Sequence, residues 1–236
     1  MYQRDYLMRQ IEQAARALAA IMKKALGGDP QEALGMFDEA YKPLLGVSQR
    51  VVATLTDEQL LALLTSGSMP DLRRVSSLLE VVKVEADVQA QLGNQQAATV
   101  RRRRALSLAG YLAARSDELL DPELAGDLVE RTSGTPLDPG QRLALARVLE
   151  SLGRYADAED VIFEAIDDLP ENAGLVDAGI AFYQRLLALD DARLESGGLP
   201  RDEVKSSLAE LLRRQVPDDP EDLLGDEPLD WPRDLR

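Results

Sequence analysis

Cysteine and histidine are both missing from these 236 residues. Without thiolate or imidazole, the chain has no disulfides, no cysteine nucleophile, no zinc site of the usual kind and no histidine acid–base catalysis. Only carboxylates, lysine, tyrosine, serine and threonine remain for chemistry. Aromatic residues make up 4% of the chain, with a single tryptophan. No segment sustains the two-residue alternation of a half-buried strand, and no run approaches the ~20 apolar residues that span a bilayer. The opening carries Arg4, Asp5, Arg9 and Glu12 inside its apolar pattern, which suits neither a signal peptide nor a membrane anchor. A cytoplasmic location is the expectation. Positive charge is scarce as well: 27 Lys and Arg against 42 Asp and Glu leave a net charge of −15. Phosphate neutralisation needs a basic surface, so nucleic acid is not expected as a partner, nor is a membrane; a basic or apolar protein partner is favoured.

Ala, Leu, Glu, Gln and Arg dominate, the residues that lose least entropy in a helix, and the fold class read from them is all-α. From Asp5 to Leu26 apolar residues fall at Leu7/Met8, Ile11, Ala14/Ala15, Leu18, Ile21/Met22 and Ala25. Steps of three and four over nearly three heptads predict a long amphipathic helix. Its stripe is narrow enough for a homodimer seam through residues 5–26, and it serves internal packing equally well. Asp29 and Pro30 open a second helix with Ala33, Leu34, Phe37, Ala40, Tyr41 and Leu44 inward and Pro43 in its last turn. Short helices follow Ser48 and Thr56, where Thr56 and Gln59 have capping-box spacing. Ser66-Gly67-Ser68 reads as a loop, and Pro70 opens a helix to Leu92 that pairs with one from Gln95 to about Arg115.

The stretch from Pro139 to Asn172 reads as a complete helix–turn–helix. Leu143, Leu145, Ala146, Leu149 and Leu152 share one face, Gly153 turns the chain, and Tyr155, Ala158, Ile162, Ala165 and Ile166 follow before Leu169-Pro170. Small Ala146, Ala158 and Ala165 lie where two helices must approach closely. This resembles the tetratricopeptide (TPR) repeat in spacing and closing proline. The resemblance implies antiparallel helical hairpins stacked as a degenerate, interrupted TPR-like solenoid within one all-helical domain, residues 1–216. Its parts would be an N-terminal region 1–68 and hairpins at about 70–115, 139–172 and 173–215. The opening MYQRDYLMRQIEQ, the run Glu32-Ala-Leu through Tyr41 to Leu45-Gly46, and Leu55-Thr-Asp-Glu-Gln-Leu-Leu with Leu63-Leu-Thr-Ser-Gly also resemble a family of uncharacterised bacterial proteins, a domain of unknown function. That resemblance implies a TPR-like cytosolic protein and brings no catalytic residues.

In a TPR-like stack the first helices of successive pairs line the concave face. By that analogy Arg147, Glu150, Asp177, Gln184 and Arg185 are the candidate partner-facing residues. The peptide-carboxylate clamp of some TPR domains is not present, since its Lys and Asn places hold Leu143, Arg147 and Asp177. Arg101–Arg104 cannot form one stripe, because successive helical residues point about 100° apart, and Glu80, Glu85 and Asp87 offer them intramolecular partners. Asp167-Asp168 and Asp190-Asp191 lack the alternating oxygens and turning glycine of a calcium loop and read as charged helix ends. Asp160 and Glu164 share a face that reads as solvated, and Gly27-Gly28 and Gly197-Gly198 lack a phosphate-cradle context and read as turns. No catalytic, metal or cofactor site is expected. Residues 217–236 hold Pro217, Pro220, Pro228 and Pro232 among eight carboxylates, a composition that disfavours independent folding. The sole tryptophan, Trp231, is the candidate anchor through which this acidic tail docks. The function read from all this is a non-enzymatic protein- or peptide-interaction module, with an enzyme using carboxylate, Tyr or Lys groups, or a structural protein with a solubilising tail, as alternatives.

Overall fold

The computed structural model describes residues 2–116 and 118–215, and among these residues the chain is all-helical apart from one four-residue ladder. The first helix, α1, runs Tyr2–Leu26 and ends at a turn where Gly28 adopts φ 91°. Asp29 then caps α2, Pro30–Gly35, by accepting from the Glu32 amide at 3.0 Å, with Pro30 at the first helical position. Instead of one helix the chain makes two here, α2 and α3, Phe37–Leu45, hinged at Met36. Gly35 is a weak helix former, and the hinge keeps the helical phase, so Ala33, Phe37, Ala40, Tyr41 and Leu44 are all fully buried. The periodicity alone therefore carried no sign of the break. Pro43 stays within the last turn of α3, and Gly46 closes it at φ 73°.

Two short helices follow, α4, Gln49–Val52, and α5, Asp57–Leu63, the latter opened by the Thr56/Gln59 capping box. The Ser66–Ser68 loop proves to be the tip of a minimal hairpin, β1, Thr65–Ser66, against β2, Met69–Pro70. Pro70 lies in that hairpin, and helix α6, Leu72–Gln91, begins instead under the cap of Asp71, whose carboxylate accepts from the Arg73 and Arg74 amides. A Gly93 turn leads to α7, Gln95–Ala113. Next come α8, Pro122–Thr132, α9, Pro139–Ser151, and α10, Tyr155–Asp168. The chain closes with α11, Ala173–Leu186, a further short helix α12, Asp191–Ser196, and α13, Arg201–Gln215.

Helix α9 joins two apolar clusters. Val148 belongs to the larger one, built from α1 to α8, while Ala146 and Leu149 belong to the one shared with α10, α11 and α13. The contact between α7 and α9 is very close: a Cβ added at Gly110 would lie 2.6 Å from both Cα and Cβ of Ala144. The inner face of α1, with Ala14, Leu18 and Ile21, is buried within this same chain against α2, α3 and α6.

Candidate functional site

The second half of α9 carries Arg147 and Glu150 on the side away from its two apolar contacts, and α11 brings Arg185 against them. Arg185 grips Glu150 with two parallel bonds, Nε to Oε1 and Nη2 to Oε2, both 2.7 Å, and its Nη1 donates to the Ala181 carbonyl at 2.7 Å. This fork geometry is the strong form of an ion pair. Arg147 reaches the same carboxylate only at 3.4 Å through one nitrogen. Burial, then the neighbouring Arg185, and to a lesser degree Arg115, hold the Arg147 guanidinium below its ordinary pKa, with Glu150 opposing them. Arg147 is thus a positive charge that is partly desolvated and only partly neutralised by Glu150.

These side chains edge a cleft of about 440 Å³. Ala113 and Ala114 at the end of α7, Leu120, Pro122 and Ala125 leading into α8, and Leu152, Tyr155 and Leu189 supply apolar wall, and Arg193 of α12 adds a third guanidinium. Among the described residues Glu150 is the only carboxylate in the lining, so there three guanidinium groups face one negative charge in a chain whose net charge is −15. Arg115 stacks at the adjacent edge, its guanidinium 3.7 Å from the centre of the Tyr111 ring. The wall is set by backbone contact: the Gly197 carbonyl accepts from the Ala156 amide at 3.1 Å, and Gly197 sits so close to the Tyr155 ring and the Gly153 carbonyl that no side chain fits.

Of the five residues expected on the partner-facing side, Arg147, Glu150 and Arg185 meet in this cleft. Asp177 lies two turns earlier on α11, where it accepts from Gln215 Nε2 of α13 at 2.6 Å, and Gln184 is exposed beside the cleft without lining it. Trp231 falls outside the described residues. Arg193, Tyr155 and Arg115 were not anticipated; Arg193 and Arg115 belong to segments whose periodicity is too short or too loose to assign a face.

The other constellations resolve into packing. Arg101 lies 2.8 Å from the fully buried Glu85, although its N–H is not aimed along that contact; Glu85 also accepts from Gln49 Nε2 at 2.9 Å and from the Tyr41 hydroxyl. Burial first, then the Glu85 charge, pushes the Tyr41 hydroxyl far above its usual pKa, which keeps it a donor. Arg104 pairs with Asp57 at 3.0 Å and donates to the Val52 and Leu55 carbonyls, tying α7 to α4 and α5. Asp190 caps α12 through the Arg193 amide, and Asp167 and Asp168 pair with Arg214 and Arg142. Asp160 and Glu164 are exposed. Among the described residues no group of three or more acidic residues is placed to hold a metal ion, and no helix is long and apolar enough to cross a membrane.

Residues 1–216 match the Family of unknown function (DUF6483). The chain belongs to that family. No curated protein and no solved structure gives a match. The family match covers every element that builds the cleft, from the end of α7 to α12, and stops where the acidic segment begins. It assigns no chemistry to Arg147, Arg185 or Arg193.

Proposed function

We propose that this chain is a non-enzymatic interaction module of the cytoplasm, a degenerate TPR-like stack that receives a carboxylate-bearing segment of a protein partner in the cleft between α9 and α11. The observation that carries the reading is the guanidinium excess of Arg147, Arg185 and Arg193 over Glu150 in an otherwise acidic protein. Planar guanidinium groups match carboxylates in two-pronged geometry, and the apolar wall from Leu120 to Leu189 suits the side chains that flank an acidic residue.

Support for the repeat architecture comes from spacing and pairing. Helices α9 and α11 begin at Pro139 and Ala173, 34 positions apart, one TPR period. Helix α9 packs on α10 and α7, α11 packs on α13 and α10, and α6 packs on α7. Contacts of Gln215 with Asp177 and of Arg201 with the Leu187 and Leu189 carbonyls make α11 and α13 antiparallel. The interval occupied by α8 interrupts the series. An enzyme working through paired carboxylates is disfavoured in this cleft, because Glu150 is already gripped by Arg185 and no second acid lines the cleft among the described residues.

Affinity capture from native cell extract at moderate salt, run in parallel with wild type and Arg147→Glu/Arg193→Glu, tests the reading. A stoichiometric polypeptide held by wild type and lost by the variant is the expected result. A retained metabolite with no polypeptide would favour an enzyme, and capture of nothing would leave a structural role.

A further inference from the structure

Four of the large apolar side chains that reach solvent lie on α1: Tyr6, Met8, Met22 and Leu26. Met8, Met22 and Leu26 are 37%, 44% and 81% exposed, and Ala15 and Ala19 are exposed between them. At about 100° per residue these five positions share an arc of about 60°, next to the buried face of Ala14, Leu18 and Ile21. Helix α1 therefore has two apolar stripes. One is filled by α2, α3 and α6; the other is open from Ala15 to Leu26 and is touched at its Met8 end by Arg73, whose Nη1 lies 3.8 Å from the Met8 sulfur.

Four of the five stripe positions are symmetric along the helix; the fifth, Met22, mirrors Glu12 about Ala17. Met8 and Leu26 lie equally far from Ala17, and so do Ala15 and Ala19. A two-fold axis at that level sets Met8 of one copy against Leu26 of the other, with the small pair Ala15 and Ala19 at the middle, where two backbones approach most closely. This is the self-complementarity that an isologous interface requires. Charge selects the direction. Glu12 and Lys23 flank the stripe on the same side, so antiparallel pairing puts Glu12 beside Lys23 of the second copy, twice, whereas parallel pairing sends the two copies' flanks to opposite sides of the seam and forms no such pair. Arg16 lies farther round that flank and leans on its own Glu12 at 3.6 Å, 81% exposed.

We propose that a second copy of this chain covers the stripe: two α1 helices pair antiparallel about a two-fold axis level with Ala17. A single helix pair is at the small end of specific interfaces, so the dimer is concentration-dependent. The pairing leaves the cleft between α9 and α11 out of the interface, so the proposal stands or falls independently of partner capture.

Sedimentation across a concentration series tests it, using the full chain. Wild type is expected to move from 25.9 kDa to twice that mass with rising concentration. Met22→Glu, at an exposed position, is expected to stay monomeric with unchanged melting, and Met69→Glu, exposed but off the stripe, is expected to dimerise like wild type. The chain has no native cysteine, so Ala15→Cys and Ala19→Cys give a clean register assay. Mixed under mild oxidant, the two variants should cross-link to each other in preference to themselves. A wild type that is monomeric at every concentration, a dimer untouched by Met22→Glu, or self-cross-linking of each single variant would each overturn the proposal.

Discussion

Gly110→Ala should destabilise the protein even though it places a better helix former in the interior of a helix. Gly110 lies within α7, and an added methyl would meet Cα and Cβ of Ala144 at 2.6 Å and its carbonyl oxygen at 2.9 Å. Carbon atoms sit comfortably at about 3.5–4.0 Å, so α9 would have to retreat by roughly 1 Å. No flexible side chain stands in between to yield. Overpacking costs about 1–3 kcal/mol, and a backbone collision belongs at the upper end of that range. Intrinsic propensity returns about 1 kcal/mol for Gly→Ala in a helix. The net loss is then about 2 kcal/mol, roughly 4–8 °C of melting temperature in a chain of this size.

The paired control is Gly126→Ala in α8, where an added Cβ meets nothing within 4 Å. Here only propensity acts, and a gain of up to about 1 kcal/mol is expected. Both variants can be followed by thermal melts at one protein concentration, with the helical far-ultraviolet signal as the probe. A Gly110→Ala protein as stable as wild type would refute the close α7–α9 contact. A fall in both variants would show instead that glycine is needed at both sites for reasons other than space.

Four further outcomes are expected. Tyr41→Phe leaves the buried Glu85 carboxylate without the hydroxyl that donates to it, and chemical denaturation should show a loss of about 1–3 kcal/mol; an unchanged midpoint would remove Tyr41 from the network. In Glu159→Gln the Tyr183 hydroxyl keeps an acceptor, but a carboxyl whose pKa is raised, chiefly by burial, is removed. A raised folded pKa means that the Glu159 contribution is fully present below its unfolded value near 4.5 and is lost as pH rises through the folded value, so the variant should gain on wild type as pH rises above about 4.5 in urea titrations, and a constant difference would contradict this. Ala158→Leu, at a fully buried site of α10, should lose about 1–3 kcal/mol through overpacking, and a neutral melt would place that face elsewhere. Trp231 is the sole tryptophan, so if residues 217–236 dock in the arginine cleft its emission should move toward the water-exposed position in Arg147→Glu/Arg193→Glu, while identical emission in both proteins would reject docking.

Helix positions were legible wherever a cap, a turn glycine and a full apolar period coincided. Thr56 with Gln59, Asp29 before Pro30, and Gly93 and Gly153 each sit where the chain turns or a helix starts. Breaks that preserve phase were not legible: α2 and α3 keep one continuous apolar face across Met36, so the pattern is the same with the hinge or without it. Helix α12 was hidden for a different reason. Its six residues bury one large side chain, Leu194, too few to make a period, and its only sequence signal was the Asp190 cap, which on its own marks a charged end. The doubled positions of α1, Leu7/Met8, Ala14/Ala15 and Ile21/Met22, carried more information than a single seam needs. In the fold the second residue of each pair, Met8, Ala15 and Met22, is the exposed one.

The cleft shows how far one sequence locates a site of this kind. Fold analogy put Arg147, Glu150 and Arg185 on one face, and α9 and α11, which start 34 positions apart, bring these three side chains together. The same analogy treated Asp177 as equivalent to Arg185, yet eight residues of helix separate them by about 12 Å, and Asp177 is occupied by Gln215. What distinguishes the two ends of α11 is not on α11 at all. At one end α13 and its Gln215 close over the helix; at the other, the short α12 and the end of α7 stand back and leave a space walled by alanine, leucine and Tyr155. A site formed by what fails to pack has no periodic signature, because periodicity records contacts that are made. Charge supplies the missing signal: in a chain with fifteen more acidic than basic residues, three arginines around one glutamate among the described lining residues stand out as a local imbalance.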